Sequence, residues 1–457
     1  MKKSSTKWGC LRVRRLVVLC LACFSTFLVY QIRLSSINSS SYNILLFETE
    51  MSNGNLLELY LPHGGQIRCD RTQSRYDLCM IDSSTILDPM SYTFFIGPTN
   101  STSNTAVKIK PYPRKFEGFV MDRIKDITIT SGLPEKPCQV PHNVPALVFC
   151  AGGYTGNFFH EFNDGFIPLF ITVNTIFPNQ DFVIVISEGH DWWINKYADL
   201  LNMFTKHPII NLDNETTTHC FPYANIGIIS HGFMIINDTL IPNSKSYFHF
   251  WGLLYKAYGQ NFASSSPMSS FPKSTSRPRL LIVSRSGNIG RVIVNQDEVI
   301  KEMEEVGFDV TVFQPTSNTS LRDAYALVSS SHIMVGVHGA ALTHSLFLRP
   351  GSVLVQVVPI GVEWASDAFF GRVGRGLNLE YLEYRIGVEE SSLVEKYGSE
   401  SKLLKDPHAL QIKGTGWPTE IMDIYLKEQN VKLDLDRFRK YLEKAYVKAK
   451  KFMYKEG

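Results

Sequence analysis

The sequence predicts an α/β protein in which two domains with doubly wound parallel sheets face a cleft, behind an N-terminal membrane anchor and a stem. Three observations support this fold class. Apolar, β-rich runs recur about every 25–30 residues with helical stretches between them, as in parallel sheets. A Ser/Pro-rich segment at residues 263–278 separates two such series and has the composition of an interdomain linker. An apolar run follows a basic N-terminus, as in membrane anchors.

The first 55 residues predict a single-pass type II membrane protein. The cytosolic tail, residues 1–15, contains six basic residues: Lys2, Lys3, Lys7, Arg12, Arg14 and Arg15. Residues 16–32 are an apolar run with the length of a short membrane span, and the preceding charge keeps the N-terminus in the cytosol. A cleaved signal peptide is the alternative, although this run lacks a small-x-small cleavage site. The Ser/Asn-rich residues 33–55 are interpreted as a stem.

A lumenal body is expected to carry glycans and disulfides. Five glycosylation sequons are present: Asn38, Asn100, Asn214, Asn237 and Asn318. Five cysteines follow the anchor: Cys69, Cys79, Cys138, Cys150 and Cys220. An odd number leaves one cysteine unpaired. Cys69 and Cys79 bracket a small polar loop and form the first predicted pair, and Cys138 with Cys220 is the second. Cys150 is then expected to be free and buried at a strand end.

The composition is that of an ordered globular protein that does not bind nucleic acid. Aromatic residues make up 12% of the chain and charged residues 19%, which suits a folded body. The net charge of +3 comes from the N-terminal tail, because the rest of the chain has slightly more acidic than basic residues. A basic surface for nucleic acid is therefore not expected.

The chain beyond the stem divides into four regions. Residues 56–144 contain short strand-like pieces broken by Pro and Asn, and no clear chemistry is evident in this β-rich region. A first Rossmann-like domain covers residues 145–262, with strands at 146–150, 181–187 and 225–230 and a helix from Asn157. A second covers residues 279–430, with strands at 279–285, 309–315, 333–337 and 353–358, helices at 295–307 and 321–330, and a helix-like segment at 340–348. Residues 431–457 form an amphipathic C-terminal helix.

The first candidate site follows the strand at 333–337. This strand, the helix-like segment and the next strand form a parallel βαβ unit. His338, Gly339 and Ala340 lie at the carboxyl end of the strand, where open α/β sheets bind ligands. Backbone N–H groups at a helix start attract phosphate, so the sequence predicts a phosphate-bearing ligand here. The alternative is that the Gly-Ala-Ala residues only allow close packing of helix on strand.

Ser284, Arg285 and Arg291 extend this prediction. Ser284 and Arg285 end the strand at 279–285, so they should lie at the same sheet edge as His338. Two arginines around a glycine-containing loop can hold a diphosphate through charge-assisted hydrogen bonds, each worth about 1.5–3 kcal/mol. The alternative is that both arginines pair with surface acids.

The segment GGYTGNFFHEFND forms the second candidate site. Its glycines, among them Gly153, let the backbone approach a ligand closely. In a helix, Asn157, His160, Glu161 and Asp164 would share one face. A histidine beside carboxylates can serve as a general base. A metal site would lack an identified third ligand, and the plainer alternative is a polar cap with a hydrogen-bonded helix start.

Motifs of several other enzyme classes are missing. The sequence has no G-x-G-x-x-G after a strand, no P-loop and no G-x-S-x-G elbow, which disfavours a nucleotide-dependent oxidoreductase. Asp434 and Asp436 resemble an acidic metal motif, but their position at a helix start predicts N-capping.

The chain resembles plant members of glycosyltransferase family 61 from Cys69 to about Tyr446. The resemblance is carried by CDRTQSRYDLC, VFCAGGYTGNFFHEFNDGFIPLF, VSRSGNIGR, VGVHGAALTHSLFLRPGSVLVQVVPIG, EYLEYRIGVEESSLVEKYG and DPHALQIKGTGWPTEIMDIYLKEQNVKLDLDRF. The last two stretches are similar to the subgroup that decorates xylan with pentoses. Two features depart from the family pattern: Cys150 replaces a small hydroxyl residue, and IDSSTILDP follows Cys79 in place of a Gly-Asp-Val-Arg type stretch.

The resemblance implies an inverting Golgi enzyme of GT-B-like fold that uses a UDP-sugar. By match, Arg285, Arg291, His338 and Gly339 would hold the nucleotide diphosphate, which makes residues 279–430 the nucleotide-sugar domain. Residues 145–262 would then form the acceptor-side domain, with Asn157, His160 and Asp164 near the sugar and the acceptor.

The expected reaction is direct displacement at C1 of a donor pentose by a xylosyl hydroxyl of xylan. Asp164 is the first choice for the base and His160 the second. Arg285, Arg291 and the helix start after His338 would stabilise the leaving diphosphate, so no tightly bound cofactor and no essential divalent metal are expected.

Several points stay open at this stage. The donor is UDP-xylose or UDP-arabinofuranose, and a homo- or hetero-oligomer is not decided. A glycosyltransferase acting on glycoprotein glycans, of β-1,2-xylosyl or O-GlcNAc type, is one alternative function. A non-catalytic scaffold of a polysaccharide-synthesis complex is another.

Overall fold

A computed structural model of the chain describes residues 67–97, 106–259, 277–287, 289–410 and 418–456. All of them belong to one compact unit, Asn53–Gly457. The predicted tail, anchor and stem, the sequons at Asn38 and Asn100, and most of the predicted linker lie outside these residues. None of the described helices combines the length and apolar character needed to cross a membrane.

The strands within the described residues form three sheets. In chain order they are β1 Ile67–Asp70, β2 Leu78–Ile81, β3 Thr85–Asp88, β4 Thr93–Ile96, β5 Val107–Ile109, β6 Ile127–Ser131, β7 Val140–Pro141, β8 Ala146–Cys150, β9 Val183–Ser187, β10 Ile210–Asn211, β11 His219–Phe221, β12 Ala224–Ile226, β13 Arg279–Val283, β14 Asp309–Phe313, β15 Ile333–Val337, β16 Val353–Val358 and β17 Glu380–Arg385.

Helices connect and cover these sheets. The α-helices are α1 Gly118–Met121, α2 Phe158–His160, α3 Ile167–Ile176, α4 Asp191–Leu201, α5 Tyr247–Tyr258, α6 Gln296–Val306, α7 Leu321–Ser330, α8 Glu363–Ser366, α9 Arg372–Gly376, α10 Leu393–Tyr397, α11 Lys402–Lys405, α12 Thr419–Asp423 and α13 Leu435–Glu456. Three π-helical stretches are Glu161–Phe166, Asp367–Gly371 and Ile424–Glu428. The 3-10 helices are Pro89–Ser91, Asp238–Leu240, Pro242–Ser244, Ala340–Phe347, Val388–Glu390 and Pro407–Leu410.

Sheet A contains the strands predicted for the first α/β series. Its order is β1-β2-β12-β8-β9-β10. The four strands β12, β8, β9 and β10 are parallel, as predicted, but β1 and β2 add an antiparallel edge. β12 is shorter than the predicted strand at 225–230 because the chain bends at Gly227. That residue has φ 106°, and a Cβ atom there would lie 2.4 Å from Asp77 O.

Sheet B covers one face of sheet A. Its order is β5-β6-β4-β3-β11-β7, with parallel and antiparallel pairs. One hydrophobic cluster joins Ala146 and Val148 of β8 to Phe94 and Ile129 of sheet B. The disulfide Cys69–Cys79 links β1 to β2, and Cys138–Cys220 ties the approach to β7 to β11. Both predicted disulfides are confirmed, and Cys150 is free and buried, as predicted.

Sheet C is the parallel sheet predicted for the second α/β series. Its order is β14-β13-β15-β16-β17, and every neighbouring pair is parallel. Leu281 and Val283 of β13 face one hydrophobic cluster, whereas Leu280 and Ile282 face another. The strand is therefore buried on both faces, as expected for a doubly wound sheet.

The two α/β series share a hydrophobic core. One cluster contains Leu147 and Ile184 of sheet A together with Leu281 and Met334 of sheet C. The predicted C-terminal helix is present as α13, and Asp434 caps it by accepting a hydrogen bond from Arg437 N at 3.0 Å. The N-capping prediction is thus confirmed for Asp434.

Candidate functional site

The first group of predicted residues lies at the carboxyl ends of β13 and β15. The strand order of sheet C reverses between these two strands, and such a switch point leaves a crevice in which α/β sheets bind ligands. Ser284 and Arg285 follow β13, and His338 and Gly339 follow β15. Ser284 is buried, and its N–H donates to Phe313 O at 2.8 Å. The structure brings both predicted segments to one edge of the sheet.

Arg285 and Arg291 converge over Gly339. A Cβ atom on Gly339 would lie 2.9 Å from Arg291 Nη1 and 3.0 Å from Arg285 Nη1, so glycine leaves room for both guanidinium groups. Arg285 Nε donates to Gly290 O at 3.2 Å, and Arg291 Nη1 donates to His338 O at 3.1 Å. We call Arg285, Arg291 and His338 the arginine wall.

The arginine wall has positive charge that no carboxylate balances. Neither arginine forms an ion pair with a residue in the described part of the chain, so the predicted alternative of surface ion pairs is not found there. Burial lowers the pKa of Arg285, and burial together with the Arg285 charge lowers the pKa of Arg291 to about 9. Two adjacent, partly buried cations repel each other until an anion balances them.

His338 is a neutral member of this wall. Burial and the charges of the two arginines lower its pKa to about 3. Its Nδ1 lies 3.0 Å from Gln356 Nε2 and 3.1 Å from Ser366 Oγ. Gln356 Oε1 accepts a hydrogen bond from Tyr381 OH at 2.7 Å, which orients the amide. Since Nδ1 accepts a hydrogen bond from Gln356, the ring proton is on Nε2, and His338 can donate but not carry charge.

A distant segment of the chain holds Arg291 in place. Arg291 has φ 59°, an unusual value for a non-glycine residue, and its N–H donates to Gln429 O. Val292 N donates to Asn430 Oδ1 at 3.0 Å, and Val431 N donates to Val292 O at 2.9 Å. The segment before α13 therefore braces the loop that positions the guanidinium group.

The segment after Gly339 differs from the predicted α-helix. Ala340–Phe347 is a 3-10 helix in which Leu342 N donates to Gly339 O at 2.9 Å. Ala340 and Ala341 pack against the hydrophobic core shared by sheets A and C. The tighter winding fits this close packing, so the small-residue alternative accounts for both alanine side chains. The phosphate prediction then rests mainly on the two arginines.

Asp164 is the centre of the second group of residues. Its Oδ2 accepts hydrogen bonds from Tyr112 OH at 3.0 Å and from His160 Nδ1 at 2.8 Å. Its Oδ1 accepts one from Arg114 Nε at 3.0 Å. Burial alone would raise the pKa of this carboxyl, but the Arg114 charge and the His160 hydrogen bond hold it below its usual range. Asp164 is thus ionised, 2% exposed and surrounded by donors.

His160 is more accessible than Asp164. Its side chain is 17% exposed, and its ring stacks on Tyr154 at 4.1 Å. Arg114 Nη2 also lies 2.9 Å from His160 Nδ1. The two contacts of Nδ1 act in opposite directions, because the Asp164 carboxylate can only accept a proton from it and the Arg114 guanidinium can only donate to it. The Asp164 contact is the shorter at 2.8 Å, and it favours the tautomer with a proton on Nδ1. That tautomer leaves Nε2 as an acceptor. We call Tyr112, Arg114, His160 and Asp164 the carboxylate wall.

Tyr112 and Arg114 were not predicted from the sequence as site residues, and they belong to the region that was assigned no clear chemistry. That assignment was wrong, because Cys150 N donates to Pro111 O at 2.9 Å and this contact brings the loop to the end of β8. Arg114 also forms an ion pair with Glu117. A single arginine inside the otherwise apolar stretch PYPR was the signal available in the sequence, since a buried arginine needs a carboxylate partner.

The remaining predicted residues of this segment have structural partners. Residues 161–166 form a π-helix, so the α-helical face predicted for Asn157, Glu161 and Asp164 does not form as a unit. Asn157 caps α2 by accepting from Phe159 N at 3.1 Å, as in the plainer alternative. Glu161 Oε1 accepts from Gly156 N at 2.7 Å, and burial raises the pKa of Glu161 to about 7.

Gly153 also has a different role from the predicted one. It has φ 65°, and a Cβ atom there would lie 2.5 Å from Tyr112 Cζ. The close approach at this glycine is therefore by the ring of Tyr112, not by a ligand. Gly153 is needed because Tyr112 must pass over it to reach Asp164.

Aromatic rings connect the two walls. The Phe369 ring lies 5.9 Å from the His338 ring and 4.7 Å from the Phe159 ring, between centroids. Phe158, at the start of α2, stacks on His344 at 4.1 Å. No group of three or more His, Cys, Asp or Glu side chains suited to a metal ion occurs among the residues that the structure describes.

Comparisons with known proteins identify the family that the chain is similar to. The family described as Glycosyltransferase 61 matches residues 157–355. The chain is 37% identical to xylan glycosyltransferase MUCI21 of Arabidopsis thaliana, over 84% of this chain and 80% of that protein. It is 34% identical to alpha-1,3-arabinosyltransferase XAT3 of Oryza sativa subsp. japonica, over 84% of this chain and 66% of that protein. It is 34% identical to beta-1,2-xylosyltransferase XYXT1 of the same rice, over 84% of each.

Proposed function

Since this chain belongs to glycosyltransferase family 61 and is a glycosyltransferase, we propose that it transfers a pentose from a UDP-sugar to xylosyl residues of xylan. The name of MUCI21 supports xylan as the acceptor. The names of XAT3 and XYXT1 support a pentose as the transferred sugar, since they give arabinosyl and xylosyl transfer. The proposal places the enzyme in the Golgi lumen, anchored by residues 16–32 as a type II protein. Its two α/β halves would act as a GT-B-like pair around the cleft.

The arginine wall is the observation that carries this proposal. Two partly buried arginines without a carboxylate partner in the described chain meet at a sheet switch point beside a neutral histidine donor. A nucleotide diphosphate supplies the missing negative charge, and it gains charge as the bond from C1 to its oxygen breaks. Arg285 and Arg291 would stabilise that developing charge, and His338 Nε2–H would add a hydrogen bond. A divalent metal is not required for this role.

The carboxylate wall would supply the catalytic base, and His160 now replaces Asp164 as the first candidate. Asp164 has a lowered pKa and is surrounded by donors, so it is poorly placed to take a proton. His160 has an accessible ring and a free Nε2 in the tautomer that Asp164 favours. We therefore propose His160 as the base and Asp164 as the residue that orients it and stabilises its protonated form.

The reaction is then a single displacement with inversion. A xylosyl hydroxyl oxygen attacks C1 of the donor pentose, its proton passes to His160 Nε2, and the bond from C1 to the diphosphate oxygen breaks. UDP leaves with the bonding electron pair, held by the arginine wall. His160 afterwards releases its proton to solvent.

The test is a product assay with the full chain purified in detergent. Xylohexaose is incubated with UDP-xylose and, separately, with UDP-arabinofuranose, and the products are identified by mass spectrometry and NMR. A pentosylated xylohexaose is expected with one of the two donors. Transfer to glycoprotein glycans but not to xylohexaose would move the proposal to the glycoprotein alternative, and no turnover with either acceptor would favour a scaffold.

A further inference from the structure

Two exposed phenylalanines stand beside the carboxylate wall. Among the phenylalanines that the structure describes, three are exposed: Phe116 at 45%, Phe119 at 60% and Phe248 at 45%. Phe116 and Phe119 lie in the short segment that follows Arg114. A single exposed apolar residue is ordinary, but two large rings next to a candidate catalytic group indicate a binding surface.

Neighbouring side chains hold these two rings in defined positions. Phe116 meets Phe233 edge to face at 6.0 Å between centroids, and the Arg75 guanidinium lies 5.2 Å and 4.4 Å from the two rings. Phe119 meets Tyr154 edge to face at 6.3 Å. Edge-to-face and cation–π contacts of this kind orient aromatic rings. The exposed parts of both rings are therefore held in defined orientations.

Contacts between aromatic rings connect Phe116 and Phe119 to the two walls. Tyr154, which contacts Phe119, stacks on His160 at 4.1 Å. Phe233, which contacts Phe116, lies 5.3 Å from Phe369, and Phe369 lies 5.9 Å from His338. We call Phe116, Phe119, Tyr154, Phe233 and Phe369 the aromatic rail. One arm of the rail ends at the proposed base, and the other ends at the arginine wall.

We propose that the aromatic rail binds the xylan backbone by stacking against its sugar rings. This inference rests on the proposed function. Xylopyranose has no hydroxymethyl branch, so both faces of its ring present C–H groups that can pack flat on an aromatic face. Xylan's unsubstituted backbone is also neutral, so it needs no counter-charge from the arginines that lie against these rings. A chain lying along the rail passes His160, where one of its hydroxyl groups can react.

The test compares binding of xylohexaose to four forms of the full chain by titration calorimetry. In the F116L/F119L variant the side chains stay apolar but lose their flat faces, and the Kd is expected to rise about tenfold. The F116Y/F119Y variant keeps the rings and should bind as the wild type does. Phe248→Leu is a matched control, because Phe248 is as exposed as Phe116 and lies outside the rail. UDP affinity of each form reports whether it is folded.

The outcomes separate this inference from the proposed function. If the wild type binds and modifies xylohexaose while F116L/F119L binds it equally well, the rail inference is wrong and the proposed function stands. A loss of binding in F116Y/F119Y as large as in F116L/F119L also contradicts stacking. If the wild type neither binds nor modifies xylohexaose, the proposed function fails and the rail inference fails with it. If F116L/F119L binds a glycopeptide more weakly than the wild type does but binds xylohexaose equally well, the rail binds a different acceptor.

Discussion

Arg114 is buried and Arg291 is partly buried, and the charges around these two arginines are opposite. Burial alone would lower the pKa of Arg114, but Asp164 and Glu117 raise it. Burial and Arg285 lower the pKa of Arg291 to about 9, with no carboxylate to offset them in the described chain. The charges of the carboxylate wall balance without a ligand, whereas the arginine wall has no anionic partner among the residues that the structure describes. The balance of charge thus indicates which wall receives a charged donor and which a neutral acceptor.

The largest effect is expected from removing the charge of the arginine wall. The double variant R285M/R291M should weaken UDP binding by about 10²–10⁴-fold, because two charge-assisted contacts of about 1.5–3 kcal/mol each are lost. The same variant should unfold at a somewhat higher temperature in the absence of UDP, since the repulsion between two partly buried cations disappears. Titration calorimetry and thermal denaturation measure the two effects. Unchanged UDP affinity would show that the diphosphate binds elsewhere.

The second test separates His160 from Asp164. His160→Ala should lower kcat by about 10²–10⁴-fold through loss of the general base, with UDP affinity unchanged. Added imidazole should restore part of the rate in this variant, because it can occupy the space and accept the proton. Asp164→Ala is the control, and imidazole should not rescue it. Rescue by formate or acetate in Asp164→Ala, with none in His160→Ala, would return the base to Asp164.

The comparison also predicts opposite stability changes for similar substitutions. Arg114→Met should destabilise the protein by about 3–5 kcal/mol, because it leaves Asp164 buried without its main counter-charge. The matched substitution Arg291→Met should not lower stability. Chemical denaturation of both variants at neutral pH gives the two free energies of unfolding. Equal losses would mean that the arginine wall has a compensating partner.

The smallest predicted effect is a pH dependence from Glu161. Burial raises the pKa of Glu161 from 4.5 to about 7 in the folded protein, so the folded state binds this proton more tightly than the unfolded state. This contribution to stability is complete below about pH 4.5 and is lost as the pH rises toward 7, by up to about 3 kcal/mol. Glu161→Gln should flatten the dependence over that range. If the unfolding temperature of Glu161→Gln depends on pH as strongly as that of the wild type, another group causes the dependence.

The arginine wall could be predicted from the sequence because Arg285 and His338 each lie next to a strand that is recognisable from its own residues. Arg285 and His338 each follow an apolar strand, and the parallel geometry of such strands brings their carboxyl ends together. The carboxylate wall could be predicted only in part. His160 and Asp164 are four residues apart, but Tyr112 and Arg114 arrive from a loop about fifty residues earlier. Neither that contact nor the π-helix over residues 161–166 follows from residue spacing or helix propensity.

The hydrogen bonds that hold the Arg291 loop determine when, during synthesis of the chain, the nucleotide-sugar site can form. Arg291 is held by Gln429, and Val292 is held by Asn430, which is 138 residues later in the chain. A ribosome therefore completes both α/β series before it releases the residues that lock this loop. We expect a chain truncated before Gln429 to contain every side chain of both walls and still fail to retain a nucleotide sugar. The nucleotide-sugar site would then form only after the C-terminal segment has been added.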